Sequence, residues 1–308
     1  MRKIAVVGSC NTDMIVKSKH LPAAGETILG GDFLMSAGGK GANQAVAISR
    51  LGGNVTFICK IGDDVFGEKA MHLYAEEGID TSNILTSSSH HSGVALISVD
   101  DNAENSIVVS PGANYDLLPE DVEKNKALIA SADILLMQLE IPIETVMRAA
   151  EIAYENGVKI VLNPAPACEV PESLLKKLFL FIPNANEASF YSGVACKDND
   201  SVKNAAGIIH SKGVKNVIIT IGDKGSLLCE DGGFKYFEAI KVHAVDTTAA
   251  GDTYCGAICQ ALSEGRSLDK SISFATYASA LAVQKIGAQP SIPTRKELDN
   301  YMRVKHLI

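Results

Sequence analysis

From Asp133 onward the chain alternates between short apolar runs and amphipathic segments, and that spacing leaves few ways to fold. Ile134 to Leu139 and Lys159 to Asn163 bracket a helical pattern from Ile143 to Asn156 that closes at Gly157. Phe179 to Pro183 repeats the theme, and Val217 to Ile221 is a β-branched run suited to burial on both faces. Strands separated by helices of this length need right-handed crossovers and lie parallel, so the sequence predicts a doubly wound α/β protein. Ile4 to Val7, ended by Gly8, supplies one more buried strand, and Val55 to Ile61 another, followed by a helix from Gly67 to Glu77. Ligands of such sheets bind at the C-terminal ends of the strands. That rule directs attention to Ser9-Cys10-Asn11-Thr12-Asp13, to Glu140, and to Asn184-Ala185-Asn186-Glu187. Asn and Asp in these places also serve as turn residues, and Glu187 as a helix-dipole residue, so their partners decide.

Two stretches break the alternation. Met14 to Ala37 is strand-like but interrupted by Pro22, Gly25, Gly30 and Gly31, and Gly93 to Asp100 with Asn105 to Ser110 forms a hairpin with no helix between its strands. The two predict a small β lid, with an antiparallel edge of the main sheet as the alternative for the hairpin. No repeat, low-complexity segment or linker divides the 308 residues. The expectation is a single domain over 1–308, its lid formed by about 14–37 and 93–110.

A net charge of −8 argues against a broad electropositive face for nucleic acid or anionic lipid, so any phosphate site must be local. No apolar run is long enough to cross a membrane, and Ile4 to Val7 is too short for a signal peptide. Seven cysteines without a C-x-x-C pair suggest neither a disulfide framework nor a zinc cluster. A reducing, cytoplasmic location fits that usage.

The local anion site is found at Val245-Asp246-Thr247-Thr248-Ala249-Ala250-Gly251-Asp252-Thr253, where small residues and two carboxylates run into an apolar helix. Ala249, Ala250 and Gly251 carry almost no side chain, so the free N–H groups of the helix can point at an anion. Asp252, in the first turn, is placed to take a proton from a hydroxyl attacking a phosphoryl group. Tight packing and a dipole-satisfying Asp would produce the same pattern. Asp246 needs a partner, since no Lys or Arg lies between Thr247 and Ala261, and backbone N–H groups are the first candidates. Gly38-Gly39-Lys40-Gly41-Ala42-Asn43-Gln44 leads into a second helix, Ala45 to Leu51. It is not a Walker A loop, because Gly follows Lys40, which leaves Gly39, Gly41 and Asn43 open as hydroxyl-binding groups.

These stretches, with Thr220-x-Gly222-x-x-Gly225 and Gly287-Ala288-Gln289-Pro290-Ser291, together resemble the ribokinase-like family of carbohydrate kinases, over essentially the whole chain and in the expected order. The resemblance implies a three-layer α/β/α sandwich with a mainly parallel central sheet, a small β lid, and a homodimer clasped through the lids. It implies ATP-dependent phosphorylation of ribose at O5, giving ribose 5-phosphate and ADP, with deoxyribose, another sugar or a nucleoside as the alternative acceptor. Asp252 would be the general base, and the N–H groups of Ala249, Ala250, Gly251 and Asp252 would hold the phosphate. Asn11, Asp13, Gly39, Lys40, Asn43 and Glu140 match sugar-binding positions. Asn184, Thr220, Gly222, Gly225 and Gly251 match nucleotide-binding positions, and Thr276 stands where the family often has an Asn beside the adenine. Glu187 matches the carboxylate that helps hold Mg2+, through water. Asp246, Thr248, Ala282, Lys285, Gly287 and Ser291 match a site for a monovalent cation such as K+, mostly through backbone oxygens. A silent sugar sensor would not need Asp252 with its anion hole, and a nicotinamide dehydrogenase would need G-x-G-x-x-G after the first strand, which is lacking.

Overall fold

The computed structural model describes residues 2–102 and 104–304. A nine-stranded sheet runs through the centre. In chain order its strands are β1 (Lys3–Val7), β4 (Asn54–Gly62), β5 (Ile84–Ser87), β8 (Ile134–Met137), β9 (Lys159–Leu162), β10 (Leu180–Phe181), β11 (Asn216–Thr220), β12 (Ser226–Glu230) and β13 (Gly233–Phe237). Their spatial order is β13-β12-β11-β10-β9-β8-β1-β4-β5, all parallel except at β12, which runs against both neighbours. From β1 the chain first builds outward through β4 and β5, then returns to β8 and builds the other way. The crevice between β1 and β8 is therefore the point where strand order reverses, where α/β sheets take up ligands.

Strand residues feed two separate cores by simple alternation. Ile4 and Val6 of β1 and Ile134 and Leu136 of β8 face one core, and Ala5, Val7, Leu135 and Met137 face the other. The first core is closed by the helices Lys40–Arg50, Ala250–Ser263 and Leu268–Ala282, the second by Ile143–Glu155 and Asn199–Ser211. Burial on both faces is why these strands read as continuous apolar runs.

The two stretches that break the alternation join in a second, four-stranded sheet of order β3-β2-β6-β7, made of β2 (Asn11–Lys17), β3 (Phe33–Gly38), β6 (Gly93–Val99) and β7 (Asn105–Ser110). The hairpin is thus not an edge of the main sheet. Its β6 pairs parallel with β2, and the outer pairs are antiparallel. Strand β2 begins at Asn11, ahead of the expected start at Met14, so Asn11 and Asp13 already lie in this sheet. They point to one face, buried, with Thr12 on the other.

Candidate active site

The site assembles where β1 and β8 end. Gly39, at φ +86°, turns the chain from β3 into the helix Lys40–Arg50. The helix starts at Lys40, so Asn43 and Gln44 already lie within it, ahead of the expected start at Ala45. At Gly41 any side chain would collide with the backbone after β1, a Cβ coming within 2.5 Å of Ser9 N. That close approach lets the Ser9 carbonyl accept the Ala42 N–H at 2.9 Å. The Ser9 hydroxyl donates to Glu140 Oε2 at 2.5 Å, which also accepts the Lys40 N–H at 3.0 Å. Lys40 Nζ lies 3.9 Å from Glu140 Oε1.

Asn114 secures the start of the second sheet. It accepts from Cys10 N at 2.8 Å and donates to Cys10 O at 3.2 Å and to Asn11 Oδ1 at 2.7 Å. The Asp13 carboxylate, by contrast, accepts no hydrogen bond among the described residues, although the residue is only 9% exposed. Burial, with Glu140 and Asp252 adding repulsion against the pull of Lys40, pushes its pKa up to about 6. Lys40 itself would be lowered by burial, but Asp252, Glu140, Glu187 and Asp13 around it raise its pKa above the ordinary range. Four carboxylates, three of them buried, gathered round one ammonium with acceptor capacity left over, suit a ligand rich in hydroxyl groups.

On the other side of Lys40 the helix Ala250–Ser263 begins, one turn earlier than the apolar pattern indicates, because Ala249 adopts the left-handed conformation at φ +58° and caps it. Such a conformation is strained for alanine and is held here by the bonds on either side. The Ala250 N–H goes to Thr247 O at 3.2 Å and the Thr253 N–H to Ala249 O at 2.8 Å. The N–H groups of Gly251 and Asp252 have no acceptor among the described residues. The expected hole is therefore narrower than four N–H groups, Ala250 being already engaged. Nothing lies within 4 Å of the position a Gly251 Cβ would take. Asp252 is 8% exposed, with Oδ2 accepting from Asn43 Nδ2 and Oδ1 from Gln44 Nε2, both at 2.9 Å.

Asn184 and Glu187 form a capping box on the short helix Ala185–Ser192. Asn184 Oδ1 accepts the Glu187 N–H and Glu187 Oε2 accepts the Asn184 N–H, each at 2.8 Å. This structural duty uses one atom of each side chain and leaves Asn184 Nδ2 and Glu187 Oε1 free for the cleft. Burial and the nearby Asp252 raise the Glu187 pKa against the opposing Asn184 N–H and Lys40. Lys40, Asn184, Glu187, Thr220, Ala249, Gly251 and Asp252 line one open cleft of about 140 Å³, with Asn163, Ala165, Ile182 and Cys255. Gly222, at φ +59°, faces open space in the turn after β11. Gly225 has a different reason to be glycine, since a Cβ there would stand 1.9 Å from Phe237 O. Thr276 is not among the residues lining the cleft, and its hydroxyl donates to Ile272 O in its own helix at 2.8 Å.

Behind the anion hole, Asp246 Oδ1 accepts from Thr248 N at 2.9 Å and Thr248 Oγ1 at 2.6 Å, and Oδ2 accepts from Gly287 N at 2.8 Å. Partial burial would raise its pKa, but these three donors hold it below the ordinary carboxylate range. Asp246 is thus satisfied without any cation, and it ties the strand-side loop to Gly287. The carbonyls of Thr248, Lys285 and Gly287 accept no hydrogen bond among the described residues, whereas the Ala282 carbonyl accepts Lys285 N at 3.0 Å. Lys285 Nζ turns away to Glu297 at 2.8 Å, and Ser291 Oγ donates to Ala288 O at 2.7 Å.

Four residues that hold the site were not singled out from sequence: Ser9, Gln44, Asn114 and Asn163. Ser9 and Gln44 lie inside the stretches that drew attention, but their work is done on other residues. Gln138 belongs with them. A lone amide in the apolar run Ile134 to Leu139 is a legible sign, because a buried polar group needs a partner.

A model of the pfkB family of carbohydrate kinases matches residues 1–295. The ribokinase of Haemophilus influenzae is 45% identical over 298 residues, 96% of this chain and 97% of that protein. A deoxyribokinase of Salmonella typhimurium is 34% identical over 300 residues, 97% of this chain and 98% of that protein. Among solved structures, the ribokinase of Arabidopsis thaliana in complex with ribose and ATP superposes with a TM-score of 0.92 at 31% identity, covering 98% of this chain and 99% of that one. The chain belongs to the pfkB family of carbohydrate kinases.

Proposed function

We propose that this kinase transfers the γ-phosphoryl group of ATP to O5 of ribose, giving ribose 5-phosphate and ADP. The observation that carries the reading is Asp252. It is a buried carboxylate at a helix N-terminus, beside the unengaged N–H groups of Gly251 and Asp252, and bonded through Asn43 to the carboxylate-lined side of the site. Asn11, Asp13, Lys40, Asn43 and Glu140 bind the sugar hydroxyls and Gly39 lets the chain close around them. Asn184, Thr220 and the Gly222 turn meet the nucleotide, with Gly225 shaping the turn from behind. Thr276 contributes through the shape of its helix, its hydroxyl being engaged.

In the reaction, Asp252 takes the proton of the O5 hydroxyl as that oxygen attacks the γ-phosphorus. The bond to the β–γ bridging oxygen breaks and ADP leaves with its electron pair. Charge on the equatorial oxygens meets the Gly251 and Asp252 N–H groups. A carboxyl oxygen at Glu187 with no protein donor, in a site where burial disfavours its bare charge, fits a hard divalent cation held through water. When bound, Mg2+ supplies charge neutralisation on the phosphates. The carbonyls of Thr248, Lys285 and Gly287, with Asp246, Ala282 and Ser291, form an oxygen-only set that fits a large, weakly hydrated cation such as K+. Its role would be to order the Asp246 loop rather than to touch substrate.

The location we infer is the cytoplasm. Its support is that all seven cysteines are free thiols and that no helix among the described residues is long and apolar enough to cross a membrane. Cell fractionation checks it. The unit is one kinase domain whose smaller sheet serves as a lid. ADP release measured across pentoses, hexoses and nucleosides tests the substrate, and preference for a nucleoside or for deoxyribose would overturn ribose. Asp252→Asn is expected to lower kcat by about 10²-fold or more while ribose still binds, and near wild-type turnover would remove Asp252 from its role. Titration of turnover against each cation tests the metals. Glu187→Gln should raise the Mg2+ requirement alone, and replacing K+ by tetramethylammonium should cost activity severalfold. Indifference to either change would strike out that ion.

A further inference from the structure

The carboxylate of Asp252 is held by a chain of side-chain amides whose orientation can be deduced. At one end, Asn163 Nδ2 donates to the Ile182 carbonyl at 2.9 Å, and a carbonyl can only accept. Asn163 Oδ1 must then face Gln44, which meets it with Nε2 at 3.0 Å. The second hydrogen of the same nitrogen reaches Asp252 Oδ1 at 2.9 Å. Gln44 Oε1 is thereby turned away from the carboxylate, towards Gln138 Nε2, which donates to it at 2.5 Å. Both glutamines are fully buried. The chain ends at Gln138 Oε1, which has no hydrogen-bond partner. This oxygen lies under Gly8, where a Cβ would come within 2.1 Å of it. One orphaned acceptor at the far end is what remains when both glutamines donate in the direction of Asp252. Reversing the two glutamines would give that oxygen a donor in Gln44 Nε2, but it would leave Gln138 Nε2 without an acceptor and set Gln44 Oε1 against both the carboxylate and Asn163 Oδ1.

Resting on the assignment of Asp252 as the base, we propose that Gln44 and Gln138 are positioning residues for the reaction. Gln44 fixes the carboxylate plane and favours its ionised form, and Gln138 fixes Gln44 as a donor. Asn43, the other donor to Asp252, is a proposed sugar ligand and has its own Oδ1 unpartnered. Gln44 is not among the residues lining the cleft and has both hydrogens committed. It therefore keeps Asp252 in place while Asn43 engages substrate. The other ionisable groups acting on Asp252 are Lys40, Asp13, Glu187 and the Cys255 thiol, and neither glutamine contacts them through an ion pair or hydrogen bond.

The test is steady-state kinetics of Gln44→Met and Gln138→Met, which keep side-chain length and remove the donors, from about pH 5.5 to 9 at saturating ATP and Mg2+. Gln44→Met should lower the kcat plateau about tenfold or more with the ribose KM within about twofold. The acid limb of kcat should move to higher pH, because a carboxylate stripped of a donor holds its proton more tightly. Gln138→Met should act in the same direction and more weakly, and the double variant should add little to Gln44→Met, since the two act in series. Unchanged kcat and pH profile in a folded Gln44→Met enzyme would overturn the proposal, as would equal losses in kcat and ribose affinity with no movement of the acid limb. Should Gln44→Met fail to fold, Gln138→Met carries the same readouts. Asp252→Asn separates the two levels of inference. Retained turnover there refutes the base itself, whereas an inactive Asp252→Asn beside unaltered glutamine variants refutes only the chain.

Discussion

Asp13 shows how the site trades stability for recognition. Its carboxyl is buried, faces Glu140 and Asp252, and has no protein donor, so its folded pKa of about 6 lies above the ordinary value of 3.8. For an acid shifted upward, the folded state is favoured while the group is protonated. That contribution is complete below about pH 4 and is lost as pH rises through about 6. At pH 8 the penalty from about two units amounts to at most ~3 kcal/mol. Asp13→Asn is therefore expected to raise the unfolding temperature at pH 8, with the gain disappearing near pH 4, and to raise the ribose KM at the same time. Isothermal titration of wild type should show ribose affinity falling as pH drops below about 6, as the acceptor is protonated. A pH-independent ribose affinity, or a destabilised Asp13→Asn, would refute this role. The residue's identity was legible, since an Asp two positions after an Asn at a strand end marks a candidate. Its charge state was not, because that depends on burial in the assembled site and on Glu140, which lies in the bend after β8, more than a hundred residues away.

Two helix starts decide the chemistry, and both begin earlier than the apolar pattern shows. Periodicity registers the first buried apolar turn, whereas Lys40 and Ala250 follow residues at positive φ, Gly39 and Ala249, whose conformation only the assembled site imposes. The same limit applies to β5 and to the short helices Pro119–Lys124 and Lys126–Ala130, which are fixed by packing more than by pattern. Long strands buried on both faces were readable because alternation between two cores makes them apolar throughout. The glycines of the two helix starts separate packing from function. Gly41→Ala places a Cβ 2.5 Å from Ser9 N, so it should destabilise the fold, by about 1–3 kcal/mol as overpacking generally does. Gly251→Ala meets nothing within 4 Å and replaces a helical glycine, so stability should hold or rise by up to ~1 kcal/mol. Its methyl group would nevertheless occupy the space proposed for the transferring phosphate, and kcat should fall. Chemical denaturation beside kinetics distinguishes the pair, and a fully active Gly251→Ala enzyme would move the anion hole elsewhere.

At the scale of the whole molecule the two sheets divide the labour. The large sheet brings the ends of β1 and β8 together, and the small one carries Asn11 and Asp13 on its inner face. Side chains alternate along a strand, so Met14 points the other way. Cross-strand register continues that outward position as Met35, Met14, Leu96 and Val108, an apolar row spanning all four strands. Leu96 is 54% exposed and Val108 66%, with Phe33 at 60% and Val16 at 37% on the same face. Monomers rarely leave so continuous an apolar surface in water. The occupant we propose is the same row on a second copy, because a two-fold axis through it would place apolar against apolar without any charge to bury. A lid clamped in this way would hold Asn11 and Asp13 over the sugar, linking assembly to ribose affinity. Leu96→Lys puts a charge in the middle of the row without touching the inner face. It should give a monomer by light scattering, with a ribose KM several times higher and a kcat at saturating ribose much less altered, because Asp252 and its helix belong to the other sheet. A wild-type enzyme that is monomeric at assay concentration, or a Leu96→Lys dimer with unchanged ribose KM, would break the link between the outer face of the lid and the sugar bound beneath it.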